Sequence, residues 1–164
     1  MVGSWSLTSY GTIELEVPVD EDDSNPNALD DWLYARGREG FANLKSASGL
    51  RITIREDGSY SEAKADPSIP MPWFDSEGVL VESPLPTNGT VRHVGNGDFL
   101  HPIQSASGTN RSREKDKDVL RYDDGDTLVC DQLRLENGSL IRIVSVATDE
   151  LYLNRIIAVY DKVP

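Results

Sequence analysis

The sequence predicts an all-β fold, an up-and-down antiparallel barrel of about eight to ten strands that forms a single domain over residues 1–164. Two observations support this prediction. Short segments in which apolar and polar residues alternate recur along most of the chain. Turn dipeptides of the Asp-Gly and Asn-Gly type separate several of these segments, and such turns join neighbouring antiparallel strands. Successive hairpins close most easily into a barrel, and a small barrel can enclose one ligand.

The predicted strands lie on either side of an irregular middle, residues 95–118, which is rich in Gly, Ser and charged side chains and is expected to be a surface loop. In the first part, Gly11 separates two strands, and Asp57-Gly58 closes a hairpin. The Asn88-Gly89 pair is expected to be a turn. The predicted strands are residues 5–10, 13–19, 50–55, 59–63, 79–81, 90–94, 119–122, 127–135, 140–146 and 151–160.

One segment, residues 26–46, has a helical pattern instead. Leu29, Trp32 and Leu33 recur at helical spacing, and Asn25 before Pro26 is a favourable helix start. Two glycines interrupt the middle of the segment, so the sequence predicts a helix-turn-helix rather than one long helix.

The charge balance and the single cysteine limit the possible partners and compartments. The chain has 16 Lys and Arg against 28 Asp and Glu, a formal net charge of −12. Such a surface repels phosphate backbones and anionic lipids, so neither nucleic acid nor stable membrane insertion is expected. Cys130 has no second cysteine to pair with, and the N-terminus has no signal-peptide pattern. We therefore expect a cytoplasmic protein.

Three short motifs resemble the calycin superfamily. The opening Gly3-Ser4-Trp5 is similar to the Gly-x-Trp start that lipocalins and fatty-acid-binding proteins share. Residues 31–45 stand where the fatty-acid-binding proteins place a helix-turn-helix lid. The ending resembles their Arg-x-Tyr-x-x-Val terminus, with Tyr160 as the tyrosine and Ala158 where that family has its anchor arginine. The resemblance implies a barrel with helices over its mouth and a small apolar or amphipathic molecule inside.

Two arginines interrupt aliphatic strands in the last third of the chain. Arg142 follows Leu140-Ile141, and Arg155 precedes Ile156-Ile157. An inward arginine needs an anion, supplied by a protein carboxylate or by a ligand headgroup. An outward arginine is an ordinary solvent-facing residue. The last strand is apolar on both faces, so the alternation leaves both orientations open.

The remaining candidate contacts are tyrosines and one amide on the last strand, together with the lid tryptophan. Tyr152, Asn154 and Tyr160 share one strand face, whose mixed polar and apolar character suits a cavity wall. The spacing of His93 and His101 fits no standard zinc motif, so no metal, cofactor or catalytic residue is assigned. The predicted ligand-binding residues are Tyr160, Tyr152, Arg142, Arg155, Trp32 and Asn154.

The expected function is reversible binding of one small hydrophobic or amphipathic molecule in the barrel cavity. The alternative is an enzyme on the same barrel, a cyclase or isomerase of a specialised metabolite that acts without a covalent step. Barrels of this kind support either activity, so the fold alone does not decide between them. A third interpretation is a protein-interaction domain that uses the acidic surface. Identification of whatever co-purifies with the protein would separate the three.

Overall fold

A computed structural model describes residues 1–16, 44–64, 88–102, 109–110, 118, 120–121, 127–148 and 152–164. Over these residues the chain forms eleven strands and no helix. The strands are β1 (Gly3–Glu16), β2 (Lys45–Ser46), β3 (Leu50–Ile54), β4 (Ser59–Lys64), β5 (Asn88–Val94), β6 (Gly97–Pro102), β7 (Thr109–Asn110), β8 (Leu120–Arg121), β9 (Thr127–Glu136), β10 (Ser139–Thr148) and β11 (Tyr152–Lys162).

Eight of these strands close into a ring. Its order is β1-β3-β4-β5-β6-β9-β10-β11, and β11 returns to pair with β1. Every pairing in the ring is antiparallel. The short strands lie off the ring: β2 pairs with β1, and β7 pairs with β8, which pairs with β9. The predicted all-β, up-and-down antiparallel barrel is therefore confirmed, with eight strands in the wall.

Two of the predicted turns hold their hairpins in register. Between β3 and β4, Gly58 takes a positive φ of 80°, and the Asp57 carboxylate accepts a hydrogen bond from the Ser59 N–H at 2.9 Å. Between β9 and β10, Asn137 and Gly138 have φ values of 52° and 89°. Positive φ at both central residues is the geometry that matches the twist of the flanking strands. Both hairpins were predicted and both are confirmed.

The break predicted at Gly11 is wrong. Strand β1 runs without interruption through this residue, which is buried and pairs with Ile157 of β11. The irregularity comes earlier, as a change of register between Leu7 and Ser9. A long strand that bends around a small barrel tolerates a bulge and a glycine because both relieve curvature. The predicted extension to residues 17–19 lies outside the described residues.

The loop predicted over residues 95–118 contains a strand of the barrel wall. Strand β6 pairs with β5 on one side and β9 on the other. Its Phe99 and Leu100 are each 1% exposed although they point to opposite faces. Burial on both faces outweighs the poor strand propensity of the neighbouring Gly, Asp and Pro. The predicted turn at Asn88-Gly89 is also wrong, since both residues belong to β5.

The helical segment predicted for residues 26–46 falls mostly outside the described residues, as does the strand predicted for residues 79–81. The last two residues of the predicted helical segment, Lys45 and Ser46, are not helical, because they form β2 against Ser9 and Tyr10 of β1. In the part of the chain that is described, no helix is long and apolar enough to cross a membrane.

The wall formed by β9, β10 and β11 is buried on both faces. Its inner face joins the barrel core, while three isoleucines on its outer face form a separate cluster with Leu44 and Val159. Because both faces of the wall are buried, the sequences of these strands are apolar at inward-facing and outward-facing positions alike. The outer cluster consists of Ile141, Ile143 and Ile157. The inner core consists of Trp5, Leu7, Leu50, Ile52, Ile54, Tyr60, Leu100, Leu133, Leu140, Ile156, Ala158 and Tyr160.

Candidate functional site

A charged group lies within the barrel core. Arg142 of β10 is 5% exposed and faces the interior, because it stands opposite Ala158 and Leu133, which belong to the inner core. Its guanidinium forms a two-pronged contact with Asp131 of β9. Nε donates to Oδ1 at 2.9 Å, and Nη2 donates to Oδ2 at 2.6 Å. Such a fork-to-fork pair fixes the plane of the arginine as well as its position.

The same arginine also reaches the opposite wall. Its Nη1 donates to Glu62 Oε1 of β4. In the ring order, β4 lies four strands from β10 in either direction, so the two residues face each other across the barrel. We call Glu62, Arg142 and Asp131 the cross-barrel bridge. Its three side chains are each at most 8% exposed.

In the bridge, burial and ion pairing shift the pKa values of Asp131 and Arg142 in opposite directions. Burial raises the pKa of Asp131 above its usual value, although Arg142 pulls it down. For Arg142, burial alone would lower the pKa, but Asp131 and Glu62 together raise it well above its ordinary range. The arginine therefore stays charged at any physiological pH, and its charge is neutralised inside the protein.

Tyr160 places a hydroxyl beside this bridge. The residue is fully buried, and its Oη is enclosed next to the Arg142 guanidinium. Three of the five N–H groups of Arg142 donate to the carboxylates. Burial raises the pKa of Tyr160 above its usual range, so the phenol remains protonated. A neutral phenol is thus held beside a charged guanidinium inside the barrel.

The inward-facing residues of the barrel differ in exposure along its length. On the side of the termini, Leu7 and Leu140 are at most 2% exposed. Trp5 closes that half, with its Nε1 donating to the Met1 carbonyl at 2.9 Å. On the other side, Val144 packs against the inner core yet is partly exposed, and Thr12 is exposed although it stands opposite Ile156. Exposure is not confined to that side, because Leu135, which stands opposite Leu140, is 51% exposed.

The second predicted arginine is on the other side of the wall. Arg155 pairs with Ser145 across β10 and β11, at positions that alternate with the inner-core residues. Its Nε donates to Ser145 Oγ at 3.1 Å, and the residue is 5% exposed. Arg155 therefore does not face the barrel interior, as the first alternative required, and it is not exposed to solvent, as the second required. It is buried on the outer face of the wall.

The structure brings together only part of the predicted site. Tyr160 and Arg142 are neighbours in the interior. The backbones of Tyr152 and Asn154 pair with Thr148 and Val146 of β10, but their side chains lie outside the described structure, as does all of Trp32. Ligand contacts from these three residues stay predictions.

Two acidic residues of the site were missed by sequence reasoning. The signal for Asp131 was present: the Asn137-Gly138 turn sets the register that places Leu133 opposite Arg142, so Asp131 is the diagonal neighbour on the same face. Glu62 gave a weaker signal, because it lies in a short strand with several polar residues, where one glutamate does not stand out as an inward-facing position. Its contact with Arg142 spans 80 positions of sequence and follows only from barrel closure.

The outer wall carries a second polar group and a small pocket. His101 Nε2 lies 2.5 Å from Oδ2 of the buried Asp118, and Arg92 lies 3.6 Å from the same oxygen. A separate pocket of about 150 Å³ is lined by Gly97, Gln132 and Ile143, among others. It is smaller than the roughly 300–1,000 Å³ typical of ligand sites. Among the described residues, no group of three or more His, Cys, Asp and Glu is arranged to hold a metal.

No protein-family model, no curated protein and no solved structure matches this chain.

Proposed function

We propose that this protein is a calycin-like binding protein that holds one small apolar or amphipathic molecule reversibly in the open half of its barrel. The observation that carries the proposal is that two interior-facing residues in the half away from the termini, Val144 and Thr12, remain accessible. We call this the open half. A closed barrel of eight strands is wide enough for one small ligand.

The chemistry of the space suits an amphipathic ligand. Val144 and Ile156 provide apolar side chains, and Arg142 of the cross-barrel bridge is the next inward-facing residue to Val144 along β10. Apolar walls supply most of the binding free energy, while a few fixed polar groups orient the ligand. The net charge of −12 disfavours nucleic acid and anionic membranes as partners.

The test fills the proposed space with a larger side chain. Val144→Trp projects an indole into the open half, whereas Val2→Trp makes the same change at a residue that is 50% exposed and outside the barrel. We expect the wild-type protein to bind the neutral fluorophore N-phenyl-1-naphthylamine with one saturable site. We expect Val144→Trp to weaken this binding at least tenfold, and Val2→Trp to leave it unchanged.

Mass spectrometry of solvent extracts from the purified protein complements the titration and should recover a small organic molecule. If the wild-type protein shows no saturable binding and yields no molecule, or if both tryptophan variants bind the fluorophore as the wild type does, the barrel is not a binding site.

A second candidate is cyclase or isomerase chemistry in the same space. The contact of a neutral phenol with a buried arginine–carboxylate group favours it, because such groups can polarise a carbonyl. Incubation of the recovered molecule with fresh protein distinguishes the candidates. Isomerisation changes its chromatographic retention without changing its mass, and simple binding changes neither.

A further inference from the structure

We propose that the barrel wall opens between β6 and β9, and that the Asp118 carboxylate is the latch that holds this part of the wall closed. The opening is the route by which a small molecule enters and leaves the interior, so the inference rests on the proposed binding function and adds its entry path. It follows from where backbone pairing ends in the wall and which side chains take its place.

The seam between β6 and β9 has the shortest backbone pairing in the described ring. The two strands pair only at Asp98–Leu133 and Phe99–Gln132, although both strands are described along their whole length. On its other edge, β9 pairs with β10 from end to end. Beyond the β6 pairing, β8 takes the place of β6 beside β9. The wall therefore has a junction at which β9 changes neighbours, and no backbone pairing in the described part of the chain joins β6 to β8 there.

The junction lies beside the accessible part of the interior. Between the residues that pair with β6 and those that pair with β8, β9 contains Cys130 and Asp131. Asp131 stands opposite Val144 of β10, the inward-facing residue that is partly exposed. An opening of the wall at this level leads directly into the open half.

Side-chain contacts of Asp118 cross the junction. Asp118 lies two residues before β8, and its side chain is fully buried. Its Oδ2 lies 2.5 Å from Nε2 of His101 on β6 and 3.6 Å from Nη1 of Arg92 on β5. One carboxylate thus ties the β5–β6 hairpin to the segment that leads into β8. A few side-chain contacts separate at a lower cost in free energy than a long backbone ladder, so local opening is expected here first.

The test measures how fast the fluorophore N-phenyl-1-naphthylamine enters and leaves the protein, by stopped-flow fluorescence. Asp118→Asn removes the charge of the latch and keeps the shape of the side chain. If entry passes through the junction, the association and dissociation rate constants both rise with the fraction of open molecules. We expect both to rise about fivefold or more, while Kd stays within about twofold of the wild-type value.

Asp98→Asn is the matched control. Asp98 Oδ1 lies 2.9 Å from Nδ1 of His93, so this pair has the same chemistry but joins β5 to β6 within the hairpin and does not cross the seam. We expect it to leave both rate constants unchanged. Arg92→Gln removes the longer contact of Asp118 from a side chain that is 46% exposed, and it should raise both rate constants about twofold. If Asp118→Asn does not fold, unchanged rate constants in Arg92→Gln overturn the latch.

Amide hydrogen exchange tests the junction without any ligand. Asp118→Asn should speed the exchange of the amides in the two seam pairs, Asp98–Leu133 and Phe99–Gln132, because these pairs separate when the wall opens. The amides of the β10–β11 pairing should exchange as in the wild type. Unchanged exchange at the seam overturns the latch.

The outcomes distinguish the entry path from the function on which it rests. If the wild type does not bind the fluorophore, the binding function and the entry path both fail, and hydrogen exchange alone decides on the latch. If the fluorophore binds but Asp118→Asn changes neither rate constant, or Asp98→Asn raises them equally, the function stands and the entry path is wrong. Faster dissociation without faster association also overturns the entry path, because Asp118 then stabilises the bound molecule instead of closing the wall.

Discussion

The inner and outer faces of the β10–β11 wall each bury one arginine and treat it differently. Arg142 on the inner face is paired with two carboxylates, one of which comes from the opposite side of the barrel. Arg155 on the outer face donates to the hydroxyl of Ser145, on the neighbouring strand. Both are 5% exposed. Similar sequence surroundings therefore lead to two different electrostatic sites.

The contrast shows what each face does for the fold. A bridge between distant strands fixes how the barrel closes, whereas a bond between adjacent strands supports a pairing that the backbone already defines. Paired buried charges are costly to separate, because the remaining partner is left unneutralised in a poorly screened site. The inner face should therefore be the more sensitive to loss of a partner.

The largest effect is expected from Arg142→Met. This change leaves two buried carboxylates without their cation, and we expect it to lower the free energy of unfolding by about 3–5 kcal/mol. Urea titration followed by circular dichroism measures the loss. Arg51→Met removes an exposed arginine of β3 and should change stability by no more than about 0.5 kcal/mol. Equal effects at the two positions would refute the buried bridge.

A smaller effect is expected on the outer face, from Ser145→Ala. The variant removes the acceptor of the Arg155 Nε–H in a buried setting, and a hydrogen bond to a charged group contributes about 1.5–3 kcal/mol. The same urea titration applies. A loss larger than that of Arg142→Met would invert the comparison between the two faces.

The pH dependence of stability gives the smallest and most specific signal. The pKa of Asp131 is raised above 3.8 in the folded state, so the native protein holds this proton more tightly than the unfolded chain does. The contribution of this group to stability is therefore fully present below pH 3.8 and is lost as pH rises through the folded pKa.

Asp131→Asn removes that dependence and isolates the group from other carboxylates. The stability of the wild type relative to the variant should increase as pH falls from neutrality toward about 4. Urea midpoints of both proteins at several pH values provide the measurement. A difference that stays constant, or that decreases on acidification, would mean that Asp131 is not desolvated as described.

Much of the fold could be predicted because its signals are local. The Asp57-Gly58 and Asn137-Gly138 turns, each with a positive-φ glycine, define hairpins from neighbouring residues alone. Strand β6 was missed although it forms a local hairpin with β5 around Gly95-Asn96. Its Gly97, Asp98 and Pro102 have poor strand propensity, which concealed the alternation of the strand.

The residues of the site could be predicted where their signal lies in the neighbouring sequence, and not where it depends on contacts between distant strands. Tyr160 was identified from a terminal motif, and Arg142 from its place among aliphatic residues. The orientation of Arg142 was not predictable from alternation, because both faces of this wall are buried and the pattern is apolar on each. Glu62 depends on closure of the whole ring, which no local pattern encodes.

The most direct test of this account is a double-mutant cycle between Arg142 and Glu62. The residues lie 80 positions apart in sequence and on opposite strands of the barrel, so they interact only if the bridge crosses the interior. Unfolding free energies are measured for the wild type, Arg142→Met, Glu62→Gln and the double variant. We predict a coupling energy of about 2 kcal/mol or more. Additivity of the two changes within about 0.5 kcal/mol would contradict the bridge.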